Sequence, residues 1–445
     1  MGYVVFWGCH IPARFPHLEH SMKLVLDTLG VPYIESGRFT CCPENYGIKS
    51  LGHEAWLLTA GRNLAVAESM GMDIITSCNG CYSNLKSAWA EFRRDPYAVD
   101  RLNSYLKDDG LEYTGSLEIK HFMEVLYDDI MPAGIKRRVK RPLGGIKIGA
   151  HPGCHLLRPS SQLRFDEPFV AKKFDELIAA TFAEPVKYEN KFLCCCGSFN
   201  YAGEEELSLS AIRTKLNELS DLGADAIVTG CPSCYGQFDL GQLLLSRTAE
   251  KFSIPVLYYT ELLGLALMLS PEQLALDRHR VPVEGLLEKI GRKEAELAPV
   301  KDVFDLAMMR QCVACGACNN DCPAVKVSNE SFKPHELFRS LLSGKLDAVV
   351  GSPEIWKCLD CHTCSELCGQ GIGMNRFFRQ LRELALAKGA APESVKASID
   401  AFRKTGSVTR PGASARKKLG LPDLKPEGEH ELRQLLSRLE SKGSR

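Results

Sequence analysis

Several features that often reveal a protein's partners are missing from this sequence. Its 445 residues carry 55 Lys and Arg against 55 Asp and Glu, so charge gives no reason to expect a nucleic acid or an anionic membrane as partner. The longest apolar stretch, near residues 256–269, is too short to span a bilayer and contains Glu261. The first residues, MGYVVFWGCH, lack the basic region and the cleavage site of a signal peptide. We therefore expect a cytoplasmic protein that binds neither membranes nor nucleic acids.

Cysteine is the residue that stands out, with 19 copies. One use of so many cysteines is a disulfide scaffold, but such scaffolds are usually short secreted domains with an even number of cysteines. This chain is long, shows no sign of secretion and has an odd number. Cysteines at short, fixed spacings in a cytosolic protein are more often ligands of metals or clusters. We therefore predict cluster binding for most of them.

A five-cysteine pattern, C…CC…CxxC, occurs twice. In the first copy, 31 residues separate a single cysteine from a cysteine pair, and 35 separate that pair from a CxxC motif. The second copy has spacings of 39 and 35 if the pair is formed by the first two residues of a Cys194-Cys195-Cys196 triplet. Side chains of adjacent cysteines are splayed by the backbone, so each pair suits either two different irons or one terminal and one shared position, in a cluster that is not a plain cube. The copies consist of Cys9, Cys41, Cys42, Cys78 and Cys81, and of Cys154, the triplet, Cys231 and Cys234.

Strand-like and helix-like segments alternate in both copies. Short apolar segments such as YVVFW, MDIIT and ADAIVTG are typical of buried strands, and HEAWLLTAGRNLAVAESMG has the periodicity of a helix that a glycine ends. The alternation predicts an α/β fold in which each copy forms a parallel sheet covered by helices. Because ligands of such sheets gather beyond the carboxyl ends of the strands, we expect the cysteines at strand ends.

Two denser cysteine runs follow, each with the spacing C-x2-C-x2-C-x3-C. This spacing is the signature of two-cluster ferredoxins, in which three cysteines of a run hold one 4Fe–4S cluster and the fourth holds the other. Zinc sites instead use CxxC pairs with wide gaps between them. We predict a mainly α, ferredoxin-like domain with two cubane clusters. One cluster is assigned to Cys312, Cys315, Cys318 and Cys368, and the other to Cys322, Cys358, Cys361 and Cys364.

The motifs FWGCHIPARFP, SCNGCY, GCHLLRPS and CPSCYGQFD make residues 1–280 resemble the B-type component of heterodisulfide reductase, which is built from two CCG domains. Residues 300–390 resemble the C-type component of the same enzyme, a two-cluster ferredoxin-type protein, so the chain looks like a B–C fusion. The predicted division is into CCG domains at 1–142 and 143–285, a connector at 286–305, a ferredoxin-like domain at 306–390 and a basic tail at 391–445.

The resemblance implies that each CCG domain holds a noncubane 4Fe–4S cluster on its five cysteines and that the two clusters face each other. Only two cysteines of the triplet are needed. Taking Cys195 and Cys196 changes the spacings to 40 and 34 but leaves a literal C-C-G with Gly197. Spacing favours Cys194 and Cys195 as ligands, with Cys196 as a small buried residue or a sulfur just outside the ligand set.

The implied function is that of an oxidoreductase acting on a disulfide in anaerobic metabolism. Electrons would pass through the two cubane clusters to the noncubane pair, which would cleave a disulfide such as CoM-S-S-CoB in two one-electron steps within an electron-bifurcating-type complex. The implied partners are a flavin-containing A-type subunit and a hydrogenase or formate dehydrogenase module. The alternative is an electron-transfer component of a larger redox complex whose acceptor is not a disulfide.

Four residues near the first cysteine of each copy are candidates for the catalytic site. His10 and His155 directly follow that cysteine and could supply the protons that disulfide reduction consumes, although a structural bond to loop backbone is the alternative. Arg14 and Arg158 come a few residues later and could bind an anionic group of the substrate. They could equally balance the charge of anionic clusters or form surface ion pairs.

Overall fold

The structure is a computed structural model that describes residues 2–43, 47–247, 251–316, 319–328, 331–408, 413–422 and 428–442. The chain divides into two compact units. The first unit contains Met1–Ala298, Met309–Ala314 and Leu342–Gly344, and the second contains Pro299–Met308, Cys315–Leu341 and Lys345–Arg445. The domain boundaries proposed from the sequence inside these units stay a prediction.

The first cysteine repeat forms a four-stranded parallel sheet with its first strand between the second and the third. The strands are β1 (Tyr3–Val5), β2 (Tyr33–Glu35), β3 (Asp73–Thr76) and β4 (Ile119–His121), and their order in the sheet is β2-β1-β3-β4. The two central strands are buried on both faces and are accordingly rich in valine and isoleucine. The helices are α1 (His10–Arg14), α2 (Pro16–Leu29), α3 (Ile48–Leu51), α4 (His53–Ser69), α5 (Asn79–Phe92), α6 (Pro96–Leu106), α7 (Phe122–Glu124) and α8 (Pro132–Arg138).

The second repeat forms a second parallel sheet with the matching arrangement. Its strands are β5 (Lys147–His151), β6 (Glu184–Pro185), β7 (Ala226–Thr229) and β8 (Val256–Tyr258), and their order is β6-β5-β7-β8. In both sheets the first strand of the repeat therefore lies between the second and the third, so the chain order reverses between the first and third strands. The helices are α9 (Ser160–Leu163), α10 (Lys173–Ala180), α11 (Glu205–Asp221), α12 (Pro232–Ser246) and α13 (Tyr259–Ala266).

The described residues after β8 form helices and loops. These helices are α14 (Glu284–Lys301), α15 (Leu306–Cys315), α16 (Pro323–Val327), α17 (Pro334–Leu342), α18 (Leu346–Val350), α19 (Thr363–Glu366), α20 (Met374–Ala387), α21 (Glu393–Thr405), α22 (Ala413–Lys418) and α23 (Glu429–Lys442). The predicted connector is largely α14, and the predicted basic tail contains α21, α22 and α23. The α/β class, the repeated parallel sheets and the mainly helical C-terminal part confirm the predicted fold class. Strand β4, which no pattern in the sequence indicated, adds an edge to the first sheet.

Candidate metal centres

The loops after β1 and β3 carry most of the first group of thiols. Cys9 lies between β1 and α1, while Cys78 directly precedes α5 and Cys81 lies in its first turn. Both loops leave the sheet where the chain order reverses, which is where ligands of parallel sheets collect. We call the group site 1; it consists of Cys9, Cys41, Cys42, Cys78 and Cys81.

The cysteine pair of site 1 is delivered by a longer loop, which begins beyond the end of β2. Asn63 of α4 holds this loop, since its side chain accepts the N–H of Thr40 at 2.9 Å and donates to the carbonyl oxygen of Cys41 at 3.0 Å. The amide nitrogen of Asn84 lies 3.7 Å from Cys42 Sγ. Two buried amides, which no sequence pattern indicated, therefore position the pair.

The second repeat assembles an equivalent group, site 2, which consists of Cys154, Cys194, Cys195, Cys231 and Cys234. Cys154 Sγ lies 3.6 Å from Cys194 Sγ, and Cys195 Sγ lies 3.5 Å from Cys234 Sγ. The third cysteine of the triplet differs. Cys196 has a φ of 55°, and its thiol lies 3.6 Å from the carbonyl oxygen of Cys194.

Sites 1 and 2 open into one cavity of about 610 Å³, here called the shared cavity. The two CxxC motifs meet there, and Cys231 of the second repeat is the neighbour that most strongly raises the pKa of the Cys78 thiol of the first. Asn79 joins the repeats by donating to the carbonyl oxygen of Pro152 at 2.8 Å. The fold therefore brings the two groups of thiols together at one place. The cysteines that line the cavity are Cys9, Cys42, Cys78, Cys81, Cys154, Cys194, Cys195, Cys231 and Cys234.

No disulfide joins the cysteines in the described part of the chain, and their crowding perturbs their ionisation. Contact with Cys41 raises the pKa of Cys42 to about 12, and contact with Cys194 raises the pKa of Cys195 to about 12. The pKa of Cys194 is lowered instead, first because of its side-chain hydrogen bond with Cys154. Thiols this close cannot all ionise unless a cation compensates their charge. The donor set therefore fits iron–sulfur clusters, whose ligands are thiolates.

Both predicted histidines lie in the wall of the shared cavity. His10 Nδ1 of the first repeat lies 3.3 Å from Ser233 Oγ of the second, which fixes the ring across the junction of the repeats. His155 also lines a neighbouring cavity of about 550 Å³. Their location is compatible with proton transfer, and their catalytic role stays a prediction.

The predicted arginines occupy different surroundings. Arg14 lines the shared cavity and an adjoining one of about 450 Å³, and so does Arg280, which no sequence motif indicated. Arg158 lines the 550 Å³ cavity instead, together with Cys154. Its guanidinium donates to the carbonyl oxygen of Phe192 at 3.4 Å. Part of the hydrogen-bonding capacity of Arg158 therefore holds the loop before the triplet.

A buried histidine and a buried lysine also lie beside site 2, and neither was expected from the sequence. Lys215 Nζ of α11 lies 2.9 Å from His151 Nδ1 and donates to the carbonyl oxygen of Lys191 at 3.0 Å. Burial lowers the pKa of Lys215 to about 8 and also lowers the pKa of His151. One ring nitrogen of His151 lies within 4.8 Å of the Sγ atoms of Cys195 and Cys234.

The second unit brings together one of the predicted cubane ligand sets around a small, mostly apolar cavity. Its four cysteines are Cys322, Cys358, Cys361 and Cys364. From the other set, Cys318 lies outside the described residues. Cys368 Sγ accepts the N–H of Ile372 at 3.3 Å, and backbone N–H groups, first that of Gly373, lower the pKa of its thiol. This environment favours a thiolate, although ligation by either set stays a prediction.

Asn375 of α20 organises the loop that carries the second run. Its Nδ2 donates to Asp360 Oδ1 at 3.0 Å, and its Oδ1 accepts from Ser365 Oγ at 2.7 Å. Asp360 and His362 have φ values of 49° and 62°, a left-handed backbone that needs support from its surroundings. Buried Asn375 provides that support, and Cys364 Sγ lies 3.6 Å from its Oδ1.

These sites and the duplicated sheets define an iron–sulfur protein with two CCG domains and a ferredoxin-type C-terminal part. The family model described as the cysteine-rich domain, CCG, matches residues 3–86 and 148–239. The model described as the 4Fe-4S dicluster domain matches residues 308–372. The matched segments contain both cysteine repeats and both dense runs.

Named relatives specify the family further. The chain is 39% identical over 295 residues to the B component of the ferredoxin/F(420)H(2)-dependent CoB-CoM heterodisulfide reductase of Methanosarcina acetivorans, which covers 66% of this chain and 98% of the relative. It is 29% identical over 131 residues to the C2 component of the H(2)/formate:CoB-CoM heterodisulfide,ferredoxin reductase of Methanococcus maripaludis, covering 29% of this chain and 70% of the relative. The chain belongs to the heterodisulfide reductase family, with B-type and C-type parts consistent with a fusion. The predicted resemblance is confirmed.

A third relative has a different name. The chain is 30% identical over 285 residues to the membrane anchor subunit of the 8-methylmenaquinol:fumarate reductase of Wolinella succinogenes, covering 64% of this chain and 98% of the relative. Within the ranges that the structure describes, no helix combines the length and the apolar character needed to cross a bilayer. Membership of the family identifies the chain as an iron–sulfur oxidoreductase component, and the relatives named above are subunits of larger reductases.

Proposed function

We propose that this chain reduces a small-molecule disulfide in the shared cavity. The observation that carries the proposal is that cysteines of both repeats line one cavity of about 610 Å³. Small-molecule sites usually have volumes of about 300–1,000 Å³, so a disulfide of modest size would fit. The presence of Cys78 and Cys231 in the lining of this cavity supports a reaction between the two sites, because thiols of both repeats then face the same space.

We assign a noncubane 4Fe–4S cluster to each of sites 1 and 2, and two cubane clusters to the C-terminal cysteine runs. Adjacent cysteines in both repeats support the noncubane assignment, since their splayed side chains suit different irons. The ferredoxin spacing of the dense runs supports the cubane assignment. The cubane pair would receive electrons from a partner and pass them to the noncubane pair.

The stoichiometry of the reaction explains why two facing sites are useful. Cleavage of a disulfide to two thiols consumes two electrons and two protons. Iron–sulfur clusters deliver electrons one at a time, so two clusters at one cavity would supply both electrons. His10 and His155 would supply the protons, because both line the cavity and imidazole exchanges protons near neutral pH. The contact of His10 Nδ1 with Ser233 leaves Nε2 for that exchange.

The arginines support a substrate with anionic groups. Arg14 and Arg280 line both the shared cavity and the cavity next to it. Arg158 lies with Lys49 and Arg94 around the 550 Å³ cavity that reaches Cys154. Guanidinium groups bind carboxylate, sulfonate and phosphate through paired hydrogen bonds. Cationic groups in two adjoining cavities would hold a disulfide whose halves both carry negative charge, such as CoM-S-S-CoB.

We further propose that a flavin-containing A-type subunit delivers the electrons, with a hydrogenase or formate dehydrogenase module upstream in an electron-bifurcating complex. The names of the relatives support this assignment, since each is one component of a larger reductase and one belongs to an H(2)/formate-dependent reductase. Anoxic affinity purification of the chain from its native cells tests it directly. Recovery of the chain without a flavoprotein would contradict the partner assignment.

The alternative function is electron transfer within a complex whose acceptor is not a disulfide. The observation that favours it is the similarity to the membrane anchor of the Wolinella succinogenes 8-methylmenaquinol:fumarate reductase. In that case the shared cavity would exchange electrons with a quinol or with a protein partner. The cluster assignments are the same in both proposals, so only a test of the substrate separates them.

The decisive experiment supplies anaerobically purified chain with reduced viologen and a panel of disulfides that starts with the CoM–CoB heterodisulfide. We expect oxidation of two viologens for each disulfide cleaved, with iron-depleted chain as the control. Absence of turnover in a preparation whose clusters are intact by EPR would reject disulfide reduction. Oxidation of a menaquinol analogue by that same preparation would support the alternative.

A further inference from the structure

The two repeats differ at one buried position beside their cysteines. Phe6 stands three residues before Cys9 and directly follows β1, while His151 stands three residues before Cys154 and ends β5. Strands β1 and β5 occupy the same place in sheets of the same order, so the two residues are equivalent. The first repeat therefore has an apolar ring where the second has an imidazole.

Lys215 determines which nitrogen of His151 is free to donate a hydrogen bond. An ammonium group can donate but not accept, so His151 Nδ1, at 2.9 Å from Lys215 Nζ, is the acceptor. The hydrogen of the neutral ring then lies on Nε2, which is buried and has no hydrogen-bond partner among the described residues. The ring lies beside Cys195 and Cys234, with one nitrogen within 4.8 Å of both sulfurs.

Lys215 itself is a fully buried cation. Its other partner is the carbonyl oxygen of Lys191 at 3.0 Å, and Glu218, a carboxylate that acts on it, does so more weakly than the thiols of site 2 and forms no ion pair with it. The negative groups that act on it most strongly are the thiols of site 2. A buried ammonium group without a carboxylate partner is costly unless another anion compensates it, and a cluster held by thiolates is such an anion.

Site 1 lacks this arrangement within the described part of the chain. Phe6 packs edge-on against Phe39 with ring centroids 5.1 Å apart. Helix α4 follows the cysteine pair of the first repeat as α11 follows the triplet of the second. Its Asn63 donates to the carbonyl oxygen of Cys41. A neutral donor, the amide of Asn84, lies at a site 1 sulfur, 3.7 Å from Cys42 Sγ. A buried cation therefore acts on one site of the pair, where the other has neutral amides.

We propose that His151, oriented by Lys215, donates its Nε2 hydrogen to a sulfur of the site 2 cluster and makes that cluster more easily reduced than the site 1 cluster. Hydrogen bonds to cluster sulfurs and nearby positive charge stabilise the reduced, more negative state. The proposal rests on the cluster assignments of the proposed function. It does not depend on which acceptor the complex reduces.

The test is an EPR-monitored redox titration of full-length chain with His151→Phe, which copies the side chain of the first repeat. We expect unchanged iron content and a shift of one noncubane cluster to a more negative midpoint potential, with the other clusters unaffected. His151→Gln should reverse most of the shift, because its amide can place an N–H near the position of Nε2. Phe6→Leu is the matched control and should shift neither cluster.

Lys215→Met should produce a shift in the same direction, since it removes the charge and the group that fixes the ring. Unchanged potentials in His151→Phe would overturn the proposal. Loss of about four irons in that variant without recovery in His151→Gln would make His151 a ligand and would also overturn it. Iron content of the unsubstituted chain tests the cluster assignment, and the viologen assay tests disulfide reduction, so each failure has its own readout.

Discussion

The triplet Cys194-Cys195-Cys196 offers three thiols where the first repeat has two, and its ligands can be tested one by one. We predict that Cys194→Ala removes the site 2 cluster, because Cys194 Sγ lies 3.6 Å from Cys154 Sγ within the group that lines the shared cavity. Iron should fall from about sixteen to about twelve atoms per chain, four for each cluster. Cys196→Ala should leave iron unchanged, since of the triplet only Cys194 and Cys195 line that cavity.

The assay is iron and sulfide quantification of anaerobically purified chains, with EPR to show which signals persist. Cys196→Ala serves as the matched control, because it removes a thiol from the same short segment of the loop. Its cost in stability should be about 0.5 kcal/mol or less, as expected for a side chain with few buried contacts. The reasoning fails if Cys196→Ala loses about four irons while Cys194→Ala keeps them. The ligand pair would then be Cys195 and Cys196, the arrangement that leaves C-C-G intact.

Three other predictions concern the surroundings of the sites. Gly8→Ala should disrupt site 1 alone and cause the loss of about four irons. The reason is that Gly8 has a φ of +69° and an added Cβ would lie 2.5 Å from Cys81 Sγ. Retention of all iron would contradict this prediction. Arg14→Gln should raise KM about tenfold for an anionic disulfide, equal to about 1.4 kcal/mol, and leave KM for a neutral disulfide unchanged; equal effects on both would exclude an anion clamp. His279→Gln should lower the melting temperature more at pH 6 than at pH 9. Burial alone lowers the pKa of His279, but Glu261 and other partners together have a stronger effect, so the net pKa is raised. A histidine with a raised folded-state pKa stabilises the fold fully at pH values below its ordinary pKa near 6.5, and this stabilisation is lost as the pH rises through the folded-state pKa. A difference in melting temperature that does not depend on pH would therefore refute the raised pKa of His279.

Much of the cofactor chemistry could be predicted from the sequence because the relevant ligands are local. Four cysteines within eleven residues, as from Cys312 to Cys322, are constrained by the chain itself to surround one or two clusters. The duplicated spacings were equally informative, and both copies fold into sheets with the same strand order. The alternation of strands and helices identified the fold class for the same reason, since the periodicity of side chains reports local structure.

The sequence by itself therefore determined the kind of cofactor, the duplication and the fold class. The tertiary structure alone decided that sites 1 and 2 share one cavity, which Cys78 of one repeat and Cys231 of the other both line. It also decided that Lys215 reaches His151 and that Arg280 joins Arg14 at the cavity. These pairs are separated by tens to hundreds of residues, and their contacts depend on how helices and sheets pack. Such packing follows from side-chain shape across the whole domain and leaves no periodic pattern along the chain.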